Sequence, residues 1–163
     1  MRKSAFCIYF VATSLLASGC SFISGDTDMT ENMSRDQAAE KVQEHIDGTL
    51  TALPEGAELE AREGLLFASC DDPTDGGAKD RVTASETFWV RGLPAEDNEA
   101  NIDLMYEYWT ENGYRTLHDL RPEDNFVTME HEEDSFRVSV ETSNKGSLSL
   151  GASSPCVDPD GPS

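Results

Sequence analysis

Residues 1–20 set the terms on which the rest of this chain folds. Arg2 and Lys3 precede a mostly apolar run from Ala5 to Leu16. That is about a dozen residues where a membrane-spanning helix needs roughly 20, so the segment has the length and flanks of a secretory signal. Small residues follow at Ala17, Ser18 and Gly19, and then Cys20. On this reading the remaining chain folds outside the cytoplasm, where disulfides form and persist.

The stretch Leu15-Leu16-Ala17-Ser18-Gly19-Cys20 resembles a bacterial lipobox, with Ala17 standing where leucine is usual three residues before the cysteine. The resemblance implies that residues 1–19 are a lipoprotein signal peptide, that the Cys20 thiol receives a diacylglycerol, and that the protein is held at the outer face of a bacterial membrane. Two acyl chains anchor stably where one binds only marginally. The alternative is an ordinary secretory signal with an unmodified Cys20.

Cys7 leaves with the signal and Cys20 is the lipid site, so Cys70 and Cys156 remain. An even pair outside the cell reads as one disulfide. Closing so long a loop is worth up to about 4.5 kcal/mol in the chain-entropy account. A metal reading of these two cysteines is weak, because no histidine or third cysteine sits at ligand spacing near either one. The chain that survives processing, about 140 residues, suits one domain with its own core.

Removing the signal takes away Arg2 and Lys3 but no acidic residue, moving the formal net charge from -20 to -22. Such a field repels nucleic acid and anionic headgroups and favours cationic partners. Solvation of a surface protein produces the same composition.

Residues 20–33 carry the lipidated cysteine and then a polar stretch without a period, which predicts a flexible tether of roughly 20 Å. Ser34-Arg35-Asp36-Gln37 has the form of a capping box. Ala38, Ala39, Val42, Ile46, Leu50 and Leu53 then make one apolar stripe of a helix that Pro54 ends. His45 lies at the edge of that stripe, where a packed or surface histidine is more common than a ligand. Leu65 to Ser69 and Arg81 to Arg91 read as strands, the second with Val82, Ala84, Phe88 and Val90 on one face and Glu86 breaking the pattern. Asn98 to Asn112 reads as a second helix with Ile102, Met105 and Trp109 in line and Gly113 as its left-handed cap. Four short runs follow between Tyr114 and Ala152, separated by turn residues, and describe an antiparallel meander. The sum is an α+β fold over residues 34–156: two helices packed on one face of a mostly antiparallel sheet of about five to six strands, with one disulfide. Residues 157–163 form an irregular tail.

No G-x-S-x-G, S-x-x-K, H-E-x-x-H, Walker loop or dinucleotide fingerprint is present, so the sequence calls for no cofactor and for no enzyme. Asp71, Asp72 and Asp75 beside Gly76-Gly77 suggest a calcium loop, yet they lack EF-hand spacing and the closing glutamate. A plain Asp/Pro/Gly turn explains them equally well. Trp89 and Trp109, with tyrosines near them, could form an aromatic ligand platform, or pack the second helix onto the strand before it. His118 and His131 could approach one another from neighbouring strands, with Glu130, Glu132 and Glu133 supplying carboxylates.

The lipobox, Thr51-Ala52-Leu53-Pro54-Glu55-Gly56-Ala57, Cys70-Asp71-Asp72-Pro73, Phe88-Trp89-Val90, Tyr108-Trp109-Thr110-Glu111-Asn112-Gly113-Tyr114 and the closing Leu148-Ser149-Leu150-Gly151-Ala152-Ser153-Ser154-Pro155-Cys156 together resemble small actinomycete lipoproteins. More distantly the layout is similar to mycobacterial LppA-type lipoproteins. The resemblance implies a disulfide-tied surface domain and carries no reaction or ligand. The expected function is a non-enzymatic envelope interaction module with a protein or cell-wall partner. The alternative is a lipoprotein binding a small ligand or a divalent cation.

Overall fold

Ser34 and Gln37 close the reciprocal cap that their spacing predicts. In the computed structural model, which describes residues 33–70 and 80–161, Ser34 Oγ accepts from the Gln37 N–H at 3.3 Å and Gln37 Oε1 accepts from the Ser34 N–H at 3.0 Å. Two orphan donors are thereby satisfied at the start of helix α1 (Arg35–Leu50). The helix buries Ala38, Val42, Ile46 and Thr49. Thr49 takes part because its hydroxyl donates back to the His45 carbonyl and accepts from the indole N–H of Trp109. The signal, Cys20 and the tether up to residue 32 lie outside the described residues, as do Asp71, Asp72 and Asp75. Among the described residues no helix is long and apolar enough to cross a membrane.

After Pro54 the chain enters β1 (Glu58–Ala61) and then β2 (Leu66–Ser69). Both run antiparallel to β3 (Val82–Arg91), β1 along its C-terminal half and β2 along its N-terminal half. They amount to one edge strand broken at residues 62–65, where Gly64 takes a φ of +78° that an L side chain rarely adopts. A 3₁₀ turn (Ala95–Asp97) leads into α2 (Asn98–Glu111), which buries Ile102, Met105 and Trp109 on one line. Gly113, at φ +83°, reverses the chain. Then β4 (Tyr114–Asp119), β5 (Phe126–His131), β6 (Arg137–Thr142) and β7 (Leu148–Ser153) form the meander.

The sheet order is β1-β3-β7-β6-β5-β4, with β2 beside β1 on the outer edge of β3, and every pairing is antiparallel. The α+β class holds, with seven strands rather than five or six. The additional one is β1, whose Glu-Leu-Glu-Ala sequence turns only Leu59 and Ala61 toward the core side and carries little strand signal. Both helices lie on one face: α1 packs over β3 and β7, and α2 over β4, β5 and β6. The core between them is built from alternate strand residues, Phe88, Val90, Val127, Met129, Val138, Val140, Leu148 and Leu150.

Cys70, just past β2, is bonded to Cys156, just past β7, with Cα atoms 6.0 Å apart, within the usual range for a disulfide. The chain beyond Cys156 still pairs. Val157 is buried and exchanges both backbone hydrogen bonds with Val82, and Asp158 bridges Ser34. The N-terminus of α1, the disulfide and the start of β3 therefore gather at one end of the sheet.

Candidate functional site

Lys41 and His45 are one helical turn apart on α1, at the edge of its buried stripe. Tyr114, the first residue of β4, is the register partner of His131, the last residue of β5, and both face the helices. Three residues on, in the turn to β6, the Asp134 side chain points into the same place. Its carboxylate is 5% exposed and collects donors from three elements. Lys41 Nζ lies 2.9 Å and His45 Nε2 3.3 Å from Oδ2, while His131 Nδ1 lies 2.8 Å and the Phe136 N–H nitrogen 3.3 Å from Oδ1. His45 Nδ1 is 2.5 Å from the Tyr114 hydroxyl. Phe136, fully buried, stacks on the His45 ring at a centroid distance of 4.9 Å, and Tyr114 meets the His131 ring edge-on.

These contacts settle the electrostatics. Burial by itself would raise the Asp134 carboxyl, but hydrogen bonds from His45, Lys41 and His131 outweigh it and hold the group well below the usual carboxylate range. The Tyr114 phenol is pushed up, chiefly by burial and then by Tyr108 and the Asp134 charge, so it stays protonated and donates. With Asp134 ionised, the self-consistent assignment has His45 Nε2–H donating to the carboxylate and Nδ1 accepting from Tyr114. An open cleft of about 240 Å³ lies over this group, walled also by Glu44, Tyr108 and Asn112. His45, His131 and Asp134 each offer one ligand atom, all within 4.8 Å of one another, a set able to hold a metal ion.

The sequence reading brought a different set together. His118 pairs with Thr128 on the opposite face of the sheet from His131, because the register shift between Thr116 and His118 changes the alternation. Glu132 and Glu133 are exposed. Glu130 faces away from the helices, held by Arg115 and Arg137; burial raises its carboxyl but the two guanidinium groups lower it further. Trp89 and Trp109 do not form one platform. Trp109 is fully buried against α1, and Trp89 lies on the helix-free face with the guanidinium groups of Arg62 and Arg91 at 4.9 and 5.3 Å from its ring. Strand alternation explains the split: Trp89 is one residue out of phase with the core residues Phe88 and Val90. His45, expected to be a packed or surface histidine rather than a ligand, joins the cluster, and so do Lys41, Tyr114 and Asp134, which the sequence does not single out. The available signal was the i, i+4 pair Lys41/His45 on a stripe edge and the i, i+3 pair His131/Asp134 across a turn.

The second surface of note is that helix-free face. Trp89, Ser149, Glu141 and Phe126 lie in one cross-strand row, Thr87, Gly151, Ser139, Thr128 and His118 in the next, and Ser85, Ser153, Arg137, Glu130 and Arg115 in a third. A Cβ on Gly151 would sit 3.2 Å from both Ser139 Oγ and Thr87 Oγ1, so the middle row is flat between Thr87 and Ser139 because the residue joining them has no side chain. Arg62, Arg91, Arg115 and Arg137 here meet Glu58, Glu60, Glu130 and Glu141 in equal number. The helix layer is different: α1 carries four carboxylates and residues 95–111 six, against Arg35 and Lys41 alone. Comparison with protein-family models, curated proteins and solved structures finds no match to this chain.

Proposed function

We propose that this chain is a membrane-anchored extracytoplasmic lipoprotein, cut before Cys20, lipidated there and tethered through residues 20–33. Its domain is a non-enzymatic interaction module of the cell envelope, and kinship with the actinomycete lipoproteins it resembles is part of the same proposal. The disulfide between Cys70 and Cys156 supports an oxidising compartment. The observation that carries the interaction reading is the helix-free sheet face. It spans five strand spacings, about 24 Å, is balanced in charge within a strongly acidic protein, and presents Ser, Thr and Gly rows rimmed by Arg and Glu. An anionic envelope polymer is repelled by the helix layer, and the Trp89 ring, already covered by two guanidinium groups, offers little surface for stacking a sugar. A flat, charge-balanced plate suits another protein, so an envelope protein is the partner argued for.

Two measurements test this. Cys20→Ser should abolish incorporation of labelled palmitate and release the domain from the membrane fraction; undiminished labelling refutes the anchor. A photo-crosslinking residue at Thr87 or Ser139 should give one discrete adduct in intact cells, lost on Gly151→Arg, while the same probe at Glu107 on α2 gives none. Equal adducts from both faces, or none from the sheet, end the interaction reading for this surface.

A further inference from the structure

We infer that His45, His131 and Asp134 form a binding site for one divalent d-block cation of the zinc class. Three observations converge on it. The first is spacing. Tetrahedral zinc with bonds of 2.0–2.1 Å sets its ligand atoms about 3.3 Å apart. His45 Nε2 lies 3.3 Å from one Asp134 oxygen and His131 Nδ1 2.8 Å from the other. The three ligand atoms all lie within 4.8 Å of one another, and a cation entering between the rings draws them in to the tetrahedral spacing. Two imidazoles and one carboxylate also favour zinc over calcium or magnesium, which prefer all-oxygen shells.

The second is the surrounding shell. A metal-bound histidine is normally held by a hydrogen bond from its other nitrogen, and Tyr114 Oη waits 2.5 Å from His45 Nδ1. On binding, the His45 proton moves from Nε2 to Nδ1, and Tyr114 turns from donor to acceptor. In the same way the His131 proton moves from Nδ1 to Nε2, so each ring turns a lone pair toward the metal and keeps an N–H on its far side. Asp134 keeps its Phe136 N–H bond, and the stack of Phe136 on His45 and the edge contact of Tyr114 with His131 hold the two rings in place. The third is access: the cleft above the three residues leaves room for a water or a ligand group in the fourth position.

One residue opposes the cation, and that makes the site testable. Lys41 Nζ already sits 2.9 Å from Asp134 Oδ2. Its side chain is one-third exposed, so on binding it swings outward, toward Glu44 in the cleft wall. Lys41 therefore lowers the affinity that the three ligands would otherwise have. A carboxylate hub serving only to join α1 to the β5–β6 turn makes the opposite forecast, since removing Lys41 then only weakens the hub.

The experiment titrates the full chain, solubilised in detergent with its disulfide intact, with zinc and separately with calcium, followed by calorimetry and by the visible spectrum of cobalt(II). Expected are one saturable zinc per chain, no calcium heat, and an intense cobalt band of four-coordinate type. His131→Gln, at the rim of the cleft, should weaken zinc at least tenfold and remove the cobalt band while the fold, checked by circular dichroism, is kept. Lys41→Gln should tighten zinc about tenfold. Absence of saturable zinc binding, or zinc binding indifferent to both His131→Gln and His45→Gln, overturns the inference; so does a Lys41→Gln protein that binds more weakly than the parent.

Discussion

The two tryptophans report the difference between the faces of the sheet. Trp109 is fully enclosed, its indole N–H donating to Thr49 at 2.8 Å, and it joins α2 to α1. Trp89 sits on the other side of the same sheet, partly covered by two arginine side chains. Stability is concentrated on the first face, where apolar surface leaves water completely. The second is held by pairs with one wet partner: Arg115 and Arg137, each more than half exposed, flank the buried Glu130 carboxylate, and ion pairs with so exposed a partner contribute little. A surface with so little of the fold's stability invested in it can vary in sequence to suit a partner.

Replacing each tryptophan by alanine is the sharpest way to break that contrast. Trp109→Ala should cost about 3–5 kcal/mol, from the cavity and from Thr49 losing its donor, and leave the domain close to unfolding at 37 °C. Trp89→Ala should cost about 1–1.5 kcal/mol, the scale of two exposed cation–π contacts plus partial burial. Urea unfolding of the two proteins gives the answer; equal losses would mean that the helix-free face is as much core as the covered one.

A second pair compares carboxylates four residues apart in sequence. Asp134→Asn leaves the Lys41 ammonium and two histidine N–H groups facing a neutral amide on the covered side, and about 2–4 kcal/mol of stability should be lost. Glu130→Gln, between two exposed arginines, should cost about 1 kcal/mol or less. High salt should erase more of the Glu130 effect than of the Asp134 effect, since the arginine partners of Glu130 are more than half exposed while Lys41, His45 and His131 around Asp134 are mostly enclosed. If salt removes both equally, Asp134 is not the enclosed hub described above.

How far the sequence was legible follows the same division. The capping box, the helix stripes, Gly113 and the alternation in β6 all report burial on one side of one element, and local periodicity is a direct record of that. The Cys70–Cys156 disulfide was legible because the signal reading of residues 1–20 sets the other two cysteines aside. The site was not, because it is assembled by register. Nothing local to Lys41 or His45 says that a turn some ninety residues later will deliver Asp134 beside them, and the shift near Leu117 that sends His118 to the far face has no sequence signature of its own. Phase is legible at Trp89, which belongs with Thr83, Ser85 and Thr87 and not with the core; only nearness in sequence joins it to Trp109, across the sheet. Glu130, Glu132 and Glu133 drew notice as acids near His131, whereas the carboxylate that reaches it stood in the turn.

The smallest of these effects concerns an acid that breaks the core face of β3. Glu86 has the phase of Ala84 and Phe88, and it lies opposite the break between β1 and β2, where Arg62, Glu63 and Gly64 wall a small cleft. Burial raises its carboxyl above the ordinary value. A carboxylate raised in the folded state is protonated more readily folded than unfolded, so its charge opposes folding at neutral pH. That opposition fades as the pH falls through the folded value, and vanishes below the unfolded value of about 4.3. Glu86→Gln should therefore be more stable than the parent at pH 7. The group is mostly solvated, and after screening the gain is a fraction of a kcal/mol, a rise in Tm of about 1–2 °C. By pH 4 the two melting curves should nearly coincide. A gain that persists undiminished at pH 4 would trace to packing and not to charge. No gain at pH 7 would mean that the gap in the edge strand, with Arg62 beside it, already solvates the carboxylate as well as water does in the unfolded chain, and the break between β1 and β2 would then be the feature that lets an acid keep core phase without cost.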